Sequence, residues 1–142
     1  MHSERHNQQM KYEKTDVAAF RGLAAAHERL EAAALAAGPA RHHHLTIRET
    51  SDGLWIAAAL VVNCENGREV ERTLSARNGL DREGWTVERE VLLNESPVGE
   101  PVVIASQELP VMRFTSTADL AAALPDLLGE VLDAATPDSP SA

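Results

Sequence analysis

The stretch "VVNCENGREVERTL" (Val61–Leu74) decides how this chain folds, because the length of one loop inside it sets which side chains face inward. Strand-like runs lie on either side, "LWIAAALVVN" (Leu54–Asn63) and "EVERTLSA" (Glu69–Ala76), and Asn66-Gly67 between them is a turn signal. A two-residue loop at Asn66-Gly67 would set Glu69 and Glu71 on the same face as Leu60 and Val62. A three-residue loop, Glu65-Asn66-Gly67 with Gly67 left-handed in a G1 bulge, turns the next strand over. Val70, Arg72 and Leu74 then join Leu60 and Val62, while Glu69, Glu71, Thr73 and Ser75 point away. Only the second choice keeps one face apolar along the sheet, so consistency selects the bulge.

The same alternation recurs in "VERTL" (Val70–Leu74) and "VEREV" (Val87–Val91), which reads as two neighbouring strands with one inside–outside pattern rather than a duplication. Closing this pair at Ala76 and Trp85 sets Leu74 opposite Val87, Arg72 opposite Arg89 and Val70 opposite Val91. Upstream, "HHHLTIRE" (His42–Glu49) forms a hairpin with Leu54–Asn63 across Asp52-Gly53, pairing Ile47 with Ala58 and Leu45 with Leu60. One face then carries Leu45, Ile47, Leu54, Ile56, Leu60 and Val62. The other carries His42, His44, Thr46, Arg48, Trp55, Ala57, Ala59 and Val61. Asn78-Gly79 reads as the third turn.

A loop "ESPVGEP" leads to a fifth strand at Val102–Leu109, which Pro110 interrupts, and "VMRFT" continues as an edge segment. Two helices flank the strands. The first is expected from Thr15 or Asp16 to Ala37, stopped by Gly38-Pro39, with Val17, Phe20, Leu23, Ala24, His27, Leu30 and Ala34 on its inner stripe and Arg21, Glu28 and Arg29 outside. His27 on that stripe reads as a core or boundary residue. The second begins at "STAD", where Ser116 and Asp119 have capping-box spacing, and Pro125 should kink or restart it.

The expected fold class is therefore α+β, a single domain of order α-β-β-β-β-β-α. Its five-stranded, mainly antiparallel meander is packed by N- and C-terminal helices. Residues 1–13 read as a flexible arm, 14–135 as the domain and 136–142 as a disordered tail.

With 142 residues and 44% of them hydrophobic, the chain can bury one sizeable core, filled by Ala, Val and Leu because aromatics are few. A net charge of −9 argues against nucleic acid and against an anionic membrane surface. The longest apolar run, Leu54–Val62, is too short to span a bilayer as a helix. A single cysteine, Cys64, excludes an internal disulfide or a CxxC motif, and a cytoplasmic setting is the expectation.

No catalytic signature is present: GxSxG, P-loop, GxGxxG and HExxH are all missing from the sequence. Cys64 follows a strand with no evident activating base. His42 and His44 share a strand face and form a weak two-ligand metal candidate, but no third ligand lies at telling spacing, so neither metal nor cofactor is expected. Arg72 and Arg89 on the core side need an exit to water, a carboxylate, or an anionic ligand. Glu108, Glu130 and Asp133 are the candidate carboxylates.

The outer face offers a different chemistry. Trp55, Ala57, Ala59, Val61 and Arg48 form a partly apolar, partly basic half, and Glu71, Glu88 and Glu90 form an acidic half. Such a face suits a self-complementary two-fold contact or docking of another protein. In element order, size and acidity the chain is similar to small dimeric secretion-chaperone-like and immunity-type proteins, a similarity of architecture that implies action through protein–protein contact. The sequence thus points to a non-enzymatic chaperone-, adaptor- or immunity-like module acting as a homodimer or on another protein. The rival is a small-molecule binder or enzyme holding an anion at Arg72 and Arg89.

Overall fold

The strands follow the expected meander. In a computed structural model that describes residues 21–38, 41–50, 53–64, 67–79, 84–95 and 102–137, β1 (Arg41–Thr50), β2 (Gly53–Asn63), β3 (Arg68–Gly79), β4 (Trp85–Glu95) and β5 (Val102–Glu108) lie side by side in chain order. A short β6 (Met112–Phe114) pairs with β4 beyond the end of β5, and every pairing is antiparallel. Pro110 explains this split edge, since it has no N–H to give a ladder. The arm expected over residues 1–13 lies outside the described residues.

Cys64 donates its N–H to the Arg68 carbonyl at 2.7 Å, and Gly67 has a φ of 72°. That is the three-residue connection with a left-handed glycine, and Val62 pairs with Val70, Leu60 with Arg72 and Ala58 with Leu74. The glutamates of β3 accordingly face outward.

Two registers differ from expectation by two residues each, without changing faces. In the first hairpin Leu45 meets Ala58 and Ile47 meets Ile56, because Thr50 pairs with Gly53 instead of Ser51 with Leu54. In the β3–β4 pair, Ala76 meets Val87 and Leu74 meets Arg89, so Arg72 stands opposite Val91 and not opposite Arg89. The cause lies at Asn78-Gly79. These residues stay in β3 and pair with Leu54 and Gly53, which delays the turn.

The core lies between one sheet face and both helices. Leu45, Ile56, Leu60, Leu74, Trp85, Val87 and Val91 from the sheet share one buried cluster with Leu23, Ala26, Leu30 and Ala34 from α1 (residues 21–37). Leu120, Leu124, Leu128 and Val131 from α2 (Thr117–Asp133) complete it. The α1 stripe is corrected at two positions. Ala26 is buried, whereas Ala24 and His27 are exposed, because the seam runs 23-26-30-34. Val17 and Phe20 lie outside the described residues.

Ser116 caps α2 by accepting the Asp119 N–H at 3.1 Å, as its capping-box spacing implies. Trp85 Nε1 donates to Thr117 Oγ1 at 2.9 Å and ties the helix start to β4. Pro125 sits inside a continuous helix, so it neither ends nor restarts it. It leaves the Ala121 carbonyl without its usual i+4 donor. Gly22 of α1 comes closest to α2 at that carbonyl: a Cβ there would lie 2.7 Å from the Ala121 oxygen. An Arg29–Asp126 ion pair at 2.9 Å joins the helices further along.

Candidate functional site

Both core-side arginines direct their Nη groups to backbone carbonyls at or near α2. Arg89, only 4% exposed, donates from Nη1 to the Leu127 carbonyl at 3.0 Å and reaches Glu130 at 3.5 Å. Its Nη2 donates to the Pro110 carbonyl at 3.3 Å. The proline that splits the sheet edge therefore also turns an acceptor toward the buried cation. Arg72, half-buried, donates from Nη2 to the Ala134 carbonyl at 3.0 Å and to Thr136 Oγ1 at 3.3 Å. Thr136, expected in the tail, is thus part of this contact.

Burial pushes the Arg72 guanidinium below its ordinary pKa, while Cys64 and Asp133 oppose that shift. Each arginine keeps one buried Nε without a partner among the described residues. Glu130 does meet Arg89, and Asp133 acts on Arg72 through space. Glu108 meets neither: its parity on β5 places it on the outer face, directly opposite Glu90.

The outer face forms a grid that the registers define. Its first row reads Arg48, Trp55, Arg77, Thr86 and Arg113 across β1, β2, β3, β4 and β6. The next row runs Thr46, Ala57, Ser75 and Glu88. Below it come His44, Ala59, Thr73, Glu90 and Glu108, and then His42, Val61, Glu71, Leu92 and Ser106. Arginines thus crowd one end and glutamates the other end and one side. Small residues fill the middle.

Trp55 lies across this face, donating Nε1 to Ser75 Oγ at 2.7 Å, with the Arg48 and Arg77 guanidinium groups 5.4 and 5.1 Å from its ring centre. Two cations on one indole, together with the Ser75 hydrogen bond, hold the ring in place. Two hollows open beside it. One of about 300 Å³ has Trp55, Thr73, Ser75 and Arg77 facing Glu88, Glu90 and Glu108. The other, about 540 Å³, runs from Trp55 over Ala57 and Ala59 toward His44 and Glu71. Among the described residues, neither helix contributes to either hollow.

Most of the expected interface residues are brought together here. Arg48, Trp55, Ala57, Ala59 and Glu71 border the second hollow, and Glu88 and Glu90 the first. Ala59 and Val61 are themselves buried by their neighbours, so they serve as floor and contribute little contact area. Arg77 and Arg113 were missed. Ending the third strand at Ala76 removed Arg77 from the face; its even spacing from Thr73 and Ser75 was the available signal.

His42 and His44 are exposed on this face, and His43, on the opposite side, meets Glu31 at 3.1 Å. Among the described residues no three His, Cys, Asp or Glu side chains converge as a metal site requires. Cys64 is exposed, with Sγ 3.8 Å from the Val62 carbonyl. Among the described residues no helix is long and apolar enough to cross a membrane. No known protein family, no curated protein and no solved structure matches this chain.

Proposed function

We propose that this chain is a non-enzymatic protein-interaction module that works through the outer face of its sheet, forming a homodimer there. One observation carries the reading. Both helices cover the same side of the sheet, and the other side presents a tryptophan held between two arginines, a floor of small residues, and rows of arginine and glutamate. Among the described residues no ion pair joins the arginines of this face to its glutamates. A second copy brought over by a two-fold axis supplies each end with its complement. The single cysteine and the acidic balance suit a reducing, cytoplasmic setting.

The rival, an anionic ligand between Arg72 and Arg89, gains less support. Their Nη groups already donate to protein oxygens, and although Arg89 borders the smaller hollow, Arg72 borders neither. Light scattering and sedimentation at micromolar concentration test the dimer. The intact chain should run at twice its monomer mass. Ala57→Gln, which fills the floor, should raise the dimer dissociation constant about tenfold or more, the equivalent of ~1.4 kcal/mol. A monomer that Ala57→Gln leaves unchanged overturns the reading.

A further inference from the structure

The two edges of the sheet are built differently. β1 presents Arg41, His42, His43, His44 and Arg48, and two of these are tied to α1: Arg41 Nε donates to the Ala34 carbonyl at 3.0 Å, and His43 meets Glu31. Charged and tethered edges resist strand addition. The other edge, β5 with β6, has a bulge in its pairing with β4 and charges only at Glu108 and Arg113, with no side-chain tether to a helix among the described residues. Among the described residues five large apolar side chains are exposed, and four of them lie here: Val102 (60%), Val103 (54%), Val111 (52%) and Met112 (37%). β5 is the last strand of the order, and no described strand pairs with its far side.

Charge narrows what fits. Glu108 and Glu90 stand directly opposite each other on the outer face, and neither forms an ion pair among the described residues. Like charges so placed are unfavourable. A strand added to β5 would set one of its side chains beside Glu108, where a lysine or arginine would answer both carboxylates. A second copy's β5 cannot supply that cation, because "VVIASQE" (Val102–Glu108) contains no basic residue.

We infer that the β5–β6 edge is a second interaction site, which takes an extended, lysine- or arginine-bearing segment of another protein as an added strand. Backbone hydrogen bonds along Val102–Glu108 provide the pairing, Val102 and Val103 provide apolar contact, and Glu108 with Glu90 selects for a basic residue. This site is separate from the proposed dimer face and does not depend on it.

The test uses the full chain and a dye-labelled eight-residue peptide of alternating lysine and valine, read by anisotropy at about 0.15 M salt to limit adsorption by net charge alone. Two control peptides are needed. One carries glutamate for lysine; the other keeps the sequence but is N-methylated at alternate backbone nitrogens, so it retains its charge and cannot pair. The lysine–valine peptide should bind at least about tenfold more tightly than either control, a difference of ~1.4 kcal/mol. Amide exchange across Val102–Glu108 should slow on binding, with β1 unchanged.

Val103→Lys should weaken binding by a similar factor, while Ala57→Gln on the dimer face should leave it within about twofold, a difference of ~0.4 kcal/mol. Equal binding of the N-methylated peptide would overturn the proposal in favour of charge adsorption. Unslowed exchange across β5 would overturn it as well. A drop in oligomeric state on Val103→Lys without peptide would assign the edge to a second copy instead.

Discussion

The two faces of this sheet carry the same residue types and use them in opposite ways. On the core face, Arg72 and Arg89 spend their guanidinium groups on the carbonyls of Ala134, Leu127 and Pro110 and bind α2 to the sheet. On the outer face, Arg48 and Arg77 lie against the ring of Trp55 and, among the described residues, form no hydrogen bond or ion pair with another element. The glutamates divide likewise. Glu130 helps neutralise a buried cation, whereas Glu88, Glu90 and Glu108 form no ion pair among the described residues. On one face the guanidinium groups are spent on the chain's own helix; on the other the carboxylates form no ion pair among the described residues.

Removing Arg89 should break the core face most severely. Arg89→Ala leaves the Pro110 carbonyl and Glu130 without a donor and opens a void between β4 and α2, at a cost of about 3–4 kcal/mol. Arg89→Met fills the space of the stem and should cost about half as much, since the apolar part of a buried arginine packs independently of its charge. Urea unfolding of the two variants separates these contributions. Equal losses would mean that the charge and its hydrogen bonds alone matter at this position.

The helix–helix seam comes next. Gly22→Val forces a Cβ to within 2.7 Å of the Ala121 carbonyl, a backbone atom that cannot swing aside, and should cost about 2–3 kcal/mol. Gly129→Ala is the control. Its Cβ would meet only the movable end of Arg29, 2.5 Å away, so the loss should stay below about 1 kcal/mol. Melting temperatures of the pair would show whether α1 docks through this one close contact.

Why one face was legible in the sequence and the other only partly so follows from what each depends on. Alternation and a single glycine suffice to say which residues of β3 face inward. Glu69 and Glu71 could not share a buried face with Leu60, and Gly67 could take the left-handed conformation the bulge needs. Register is harder, because a slip of two residues preserves every face. Arg72 and Arg89 were therefore expected opposite one another, although Arg72 meets Val91.

Their partners were harder still. Carboxylates can be sought in a sequence, but the carbonyls of Leu127, Ala134 and Pro110 belong to positions where any residue would serve. Arg77 escaped for a different reason: Asn-Gly is a strong turn signal, and here pairing with Leu54 and Gly53 overrides it. His27 shows the limit of a periodic stripe. Its 3.6-residue spacing fits two neighbouring seams, and Ala26 packs closer than an imidazole could.

Arg72 sharpens the contrast within the core face. It is half-buried and anchors the end of α2, where Ala134 and Thr136 follow the last helical turn. Arg72→Ala should cost about 1 kcal/mol, the typical net value of a partly solvated hydrogen bond, and should loosen the helix end before the core. Hydrogen exchange at Val131–Ala134 should rise while exchange in β3 and β4 stays slow. A uniform rise throughout would show instead that Arg72 supports the whole fold.

The smallest effect should fall on the outer face, with the opposite sign. Glu108→Gln removes one of two carboxylates placed directly across from each other, so the isolated chain should gain a few tenths of a kcal/mol. The gain should fade near 1 M salt, where the screening length shrinks to about 3 Å. The same substitution should weaken binding of a basic strand at the β5 edge, because it removes the charge beside which the incoming lysine would lie. A residue retained for the fold would lose stability when neutralised; one held for an external cation gains stability and loses binding. If Glu108→Gln proves neutral or destabilising at low salt, some group within the chain already balances this pair, and the contrast between the two faces fails at the residue where it is sharpest.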